Sequence, residues 1–162
     1  MLNRSDLSEL EAWLHRGATR KPLLIRGARQ VGKTTLVRML AEHLSVQLVE
    51  LNMEKPWRFA STLTSLDPMR TVEAIEFELN VDIDPSNSIV FFDEVQACPD
   101  VLPMLRYFRE QAPQYAVIAT GSLLEFALAQ PRFSLPVGRI ELHHLGPLTF
   151  EEFLDACHYA RW

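Results

Sequence analysis

Apolar positions along the chain switch repeatedly between helical and strand spacing. Leu7, Leu10, Ala12, Trp13 and Leu14 predict an amphipathic helix that begins as early as Ser5 and ends near Gly17, with Ser8 and Glu11 in an S-x-x-E capping pattern. Leu23-Leu24-Ile25 reads as a short apolar strand. A helix follows from Lys33, with Leu36, Leu40 and Leu44 on one face and Val37 and Ala41 beside them. Val46 to Leu51 is a second strand. The polar stretch Asn52 to Asp67 then holds a short helix around Trp57 to Leu63. Asp67 as N-cap and Pro68 at the first helical position open a helix to Asn80, stopped by the turn Asp82 to Asn87. The continuous run Ile89-Val90-Phe91-Phe92 has the pattern of a strand buried on both faces, and it ends at Asp93-Glu94.

Val101, Leu105, Phe108 and Ala112 recur at core spacing in a helix from Asp100 to Ala112, with Pro103 confined to the first turn. Tyr115 to Ala119 is the fourth strand, tipped by Thr120-Gly121-Ser122. Ser122 and Glu125 make a capping box for a helix through Ala129, and a loop runs from Gln130 to Gly138. Arg139 to Leu145 reads as a fifth strand. Gly146-Pro147 breaks it, and a Thr149/Glu152 capping box starts a last helix reaching Trp162. Alternating strands and helices imply an α/β fold, with a mainly parallel sheet covered by helices on both faces.

Composition narrows the picture. The 162 residues, 48% hydrophobic and 23% charged, suit one ordinary globular domain rather than a disordered chain. A net charge of −5, with no basic run longer than two residues, does not support nucleic-acid binding by this segment. Cys98 and Cys157 lack metal-ligand or paired spacing, and no apolar run is long enough for a signal core or membrane span; a cytoplasmic protein is the expectation. His143 and His144 alternate across a strand, which argues against joint metal ligation. Phe91, Phe92, Phe108 and Phe126 read as core.

The chemistry lies in Gly27-Ala28-Arg29-Gln30-Val31-Gly32-Lys33-Thr34, a G-x-x-x-x-G-K-[ST] loop between a strand and a helix. Successive backbone N–H groups and the helix N-terminus converge on phosphate oxygens there. Lys33 brings a mobile charge to the β- and γ-phosphates, and Thr34 offers a hydroxyl to Mg²⁺, with Thr35 next in the helix. The ligand expected is a nucleoside triphosphate with magnesium. Asp93, at the end of an apolar strand, would hold the Mg²⁺ shell, and Glu94 would orient and deprotonate an attacking water. Thr120 is a candidate sensor of the γ-phosphate, although Thr120 and Ser122 equally satisfy a turn and cap a helix. Arg132 and Arg139 flank the loop before the fifth strand, where a cation acting in trans would reach a neighbouring subunit's γ-phosphate; exposed arginines are more often solvated surface residues.

In order and spacing, G-A-R-Q-V-G-K-T-T from Gly27 to Thr35, D-E-V-Q from Asp93 to Gln96, T-G-S from Thr120 to Ser122, and L-G-P-L-T-F-E-E-F from Leu145 to Phe153 resemble the prokaryotic AAA-type ATPases that carry a C-terminal domain after the P-loop domain. The resemblance implies ATP as ligand, hydrolysis, and a P-loop NTPase three-layer sandwich with a five-stranded sheet in the order 5-1-4-3-2. It also places an ATPase core at 1–148 and, at 149–162, the start of a helix leading to a C-terminal region that this chain lacks, which makes a fragment the expectation. The function expected is Mg-dependent ATP hydrolysis coupled to a change of shape in an attached or partner module, with a homo-oligomer if Arg139 acts between subunits. The rival is an ATP-binding switch with negligible hydrolysis on its own. A GTPase is disfavoured because no N-K-x-D motif is present.

Overall fold

The computed structural model describes residues 4–122, 135–136 and 138–157. In chain order the elements are α1 (Asp6–His15), β1 (Leu23–Arg26), α2 (Lys33–Leu44), β2 (Gln47–Asn52), α3 (Pro68–Leu79), β3 (Ser88–Asp93), α4 (Val101–Gln111), β4 (Ala116–Gly121), β5 (Glu141–His144) and α5 (Phe150–Ala156). Short 3-10 turns occur at Gly17–Thr19, Phe59–Ser65 and Val95–Ala97. All four strand pairings are parallel, and the order β2-β3-β4-β1-β5 is the expected 5-1-4-3-2 read from the other edge.

Strand alternation sorts the core into two layers. Leu24, Val49, Leu51, Val90, Phe92, Val117 and Ala119 point to one face, where α3 and α4 supply Val72, Ile75, Leu102, Leu105 and Phe108. Leu23, Ile25, Ile89, Phe91, Ala116 and Ile118 point to the other, against Leu10 and Trp13 of α1 and Leu36, Val37 and Leu40 of α2. Every residue of β3 and β4 is buried, because these central strands are covered on both sides.

Local signals explain the helix ends. Asp67 accepts from the Met69 and Arg70 N–H groups with Pro68 at N1, and Thr149 and Glu152 complete a reciprocal capping box. At the first helix the observed N-cap is Ser5, whose side chain makes no capping bond, while the Ser8 hydroxyl donates to the Ser5 carbonyl at 2.9 Å. The fifth strand is shorter than the expected 139–145. Arg139 N–H is taken up in a turn onto Pro136 O, so pairing starts at Glu141. Of the helix expected from Ser122 to Ala129 only Ser122 is among the described residues; Phe126, Arg132 and the last five residues lie outside them.

Candidate active site

Three parallel strands deliver their C-terminal ends to one edge of the sheet: β1 leads into the P-loop, β3 ends in Asp93, and β4 ends at Gly121. The P-loop needs both of its glycines. A Cβ at Gly27 would collide with the Leu145 carbonyl oxygen, where β5 closes on β1 through Leu145 N–H to Arg26 O at 2.8 Å. Gly32 has φ 96° and Gln30 φ 63°, left-handed conformations that turn the chain sharply into the first turn of α2. Val31 and Thr35 continue the path, and Ala28, Arg29 and Gln30 stand exposed on the loop. The first N–H groups of α2 have no partner within the helix and stand at its positive end.

Lys33 is buried, yet among the described residues its ammonium is bonded only to the loop itself, to Gly27 O at 3.0 Å and Ala28 O at 2.8 Å. Burial lowers its pKa. The nearby Glu94 and Asp93 carboxylates oppose that, and Arg29 adds to it. Thr34 Oγ1 donates to Asp93 Oδ2 at 2.9 Å, and buried Thr120 donates to Asp93 Oδ1. A hydroxyl and a carboxylate are thus paired beside the phosphate loop. Both are hard oxygen donors, the kind that suits Mg²⁺, which takes few protein ligands. Among the described residues no group of three or more His, Cys, Asp or Glu side chains could hold a metal.

The sequence singled out Glu94 but not its partners. Glu94 Oε2 accepts from Gln96 Nε2 and, at 3.3 Å, from Ser122 Oγ. Gln96 lies two residues away on a 3-10 turn, and Ser122 is 28 residues distant in the chain; the D-E-V-Q and T-G-S strings held both, without the pairing. Arg139 stands apart. It precedes β5, whose first residue pairs with Leu23 at the opposite end of β1, and its Nε lies 3.3 Å from Glu110 Oε1. Four strand residues put it more than about 13 Å from the P-loop of its own chain.

Beside the P-loop lies a cavity of about 800 Å³, lined by Arg4, Gly32, Thr35, Leu148, Phe150 and Phe153 among others. Its far wall is held by the N-terminus. Arg4 donates to Gly146 O at 2.9 Å, and Ser5 donates through N–H and hydroxyl to Glu152 Oε1, each at 2.9 Å.

An AAA domain family model matches residues 19–154, most of the chain. The chain belongs to that family. It is an AAA domain of the ATP-binding type, carrying the P-loop and acidic strand end described above. Among solved structures it is similar to the Walker-type ATPase PABY2304 of Pyrococcus abyssi, at 16% identity and a TM-score of 0.57 over 96% of this chain and 56% of that one. It is also similar to a chain in a structure of Drosophila ORC bound to DNA, at 15% identity and a TM-score of 0.57 over 92% of this chain and 93% of that one. No curated protein matches it. The chain thus spans little more than half the length of the Pyrococcus abyssi ATPase. Among the described residues, no helix is long and apolar enough to cross a membrane.

Proposed function

We propose that this AAA domain binds ATP with Mg²⁺ and hydrolyses it, converting the reaction into a change of shape for an attached or partner module. The observation that carries the reading is the meeting of the P-loop with Asp93 across Thr34, with Glu94 next in the chain. The phosphates take the N–H groups of residues 27–34 and the Lys33 ammonium, which exchanges its loop carbonyls for phosphate oxygens. The neighbouring cavity, with Phe150, Phe153 and Leu148 in its lining, accepts the nucleoside. Thr34 and Asp93 are the residues to hold Mg²⁺, which when bound neutralises charge on the β- and γ-phosphate oxygens.

In this reading Glu94 accepts the proton of the attacking water. Thr120, through its bond to Asp93, ties β4 to phosphate occupancy. Arg139 is too far from its own P-loop to serve there, so its proposed role requires a second copy; a chain that stays monomeric with nucleotide bound removes that role. The work is proposed to take place in the cytoplasm.

The test combines calorimetry with single-turnover hydrolysis. Lys33→Ala is expected to abolish ATP binding, and Glu94→Gln to keep binding while slowing hydrolysis by at least about a hundredfold. Full turnover in Glu94→Gln rejects the base assignment.

A further inference from the structure

Glu94 adopts φ 56° and ψ 49°, a left-handed conformation rarely taken by a residue with a long side chain. Such strain persists where its surroundings impose it, often at functional sites. Here fully buried Val95 anchors the 3-10 turn that follows, and the turn swings Gln96 back onto the Glu94 carboxylate. Three groups close a triangle. Gln96 Nε2 donates to Glu94 Oε2 and to Ser122 Oγ at 3.3 Å, and Ser122 Oγ donates to the same Oε2 at 3.3 Å.

The Gln96 amide has one feature that a purely structural contact does not need. Its Oε1 is buried and has no hydrogen-bond partner among the described residues. A buried amide oxygen is ordinarily paired. Flipping the amide would not help, because it would aim the carbonyl oxygen at the carboxylate. Its contacts to Glu94 and Ser122 fix the orientation of the amide.

We infer that Gln96, with Ser122, is a positioning residue for Glu94: the two donors fix Oε2 and leave Oε1 as the oxygen that takes the water's proton. This rests on the reading of Glu94 as base. Ser122 also lies two residues beyond Thr120, which bonds Asp93, so the tip of β4 sets both acids against the P-loop. The sequence pattern assigns Ser122 to helix capping, a role that falls on residues outside those described; its hydroxyl also donates to Glu94.

Gln96→Met keeps the side-chain volume and removes the donor. In single-turnover hydrolysis by the full chain it is expected to slow the step roughly tenfold or more. ATP affinity by calorimetry should stay within about twofold, since the amide is not among the phosphate-binding groups. Added to Glu94→Gln, it is expected to cause no further loss, because positioning has no value without the base. In the nucleotide-free protein, the Glu94 side-chain carboxyl carbon-13 resonance should shift on Gln96→Met. Should that variant fail to fold, Ser122→Ala removes the other donor and is read the same way.

An unchanged rate, an unmoved resonance, or a loss that multiplies with that of Glu94→Gln overturns the inference. A slow Glu94→Gln beside an unimpaired Gln96→Met overturns positioning alone. Full turnover in Glu94→Gln, or no hydrolysis by the unaltered chain at all, overturns the base reading with it.

Discussion

Two buried cations, one at each end of the sheet, show what separates a ligand-binding charge from a structural one. Lys33 is 5% exposed and Arg20 6%, and burial lowers the pKa of both. Both donate to backbone carbonyls. Among the described residues Lys33 bonds only its own loop, at the C-terminal strand ends, with Asp93 and Glu94 near enough to favour its charge. Arg20 sits before β1, at the N-terminal strand ends, bonded to Leu14 O at 3.2 Å and Gln114 O at 2.9 Å and lying 5.8 Å from the Trp13 ring centre. It has no carboxylate partner among the described residues, and its contacts join α1 to the approach of β4. A flexible cation on a loop of left-handed turns is free to change partners; a planar cation clamped between two carbonyls and an indole ring is not.

The comparison breaks if exchanging the two charges has similar consequences. The largest expected effect is on binding. Lys33→Met retains the packing and is expected to weaken ATP binding by at least about a hundredfold, about 2.7 kcal/mol, in a calorimetric titration. Its unfolding free energy should be nearly unchanged, since the desolvation of a buried ammonium is removed and water can take its place at the carbonyls of Gly27 and exposed Ala28.

Arg20→Met should do the reverse. Losing two hydrogen bonds from a charged group is expected to cost about 2 kcal/mol of stability by urea unfolding, with ATP affinity unaltered. A stable Arg20→Met that binds ATP poorly would erase the distinction.

Glu152 fastens Ser5 to the start of α5 beside the cavity. Burial pushes its pKa up, but the Ser5 and Thr149 N–H groups, the Ser5 hydroxyl and the Arg4 charge together outweigh this and hold it below the usual carboxylate range. A carboxyl that is more acidic in the folded state contributes stability that is complete at neutral pH and disappears as pH falls through its folded value. Glu152→Gln is therefore expected to cost about 1.5 kcal/mol at pH 7, with the gap to the unaltered chain closing in acid. A gap independent of pH would show that the charge is not what matters.

The smallest effect belongs to the surface. Arg38 and Glu50 are paired at 2.6 Å, with the arginine side chain 59% exposed, and Arg38→Ala is expected to cost less than about 0.5 kcal/mol in thermal unfolding.

Much of this was readable in the chain because the relevant signals are local. The P-loop spacing, the uninterrupted apolar run ending in Asp93, the Asp67-Pro68 start and the Thr149/Glu152 capping box each depend on residues a few positions apart, and each takes the expected form. The alternation within Ile89 to Phe92 was hidden by two-sided burial, since every position is apolar whichever face it takes.

What stayed illegible depends on distant partners or on single dihedral angles. The capping motif explains one Glu152 oxygen, while the other is claimed by Ser5, 147 residues away. Nothing in the apolar pattern marks Glu94 as left-handed, so the turn that returns Gln96 to it was invisible. Arg139 read as the start of a strand because strand propensity does not register the turn onto Pro136.

The most direct test of the central claim is a calorimetric titration of the folded chain with ATP, with and without magnesium, beside the Lys33→Met variant. One site per chain, magnesium-dependent and lost in the variant, is the expected result. Folded protein that takes up neither ATP nor any other nucleoside triphosphate, or that binds ATP equally well without the Lys33 ammonium, would contradict it.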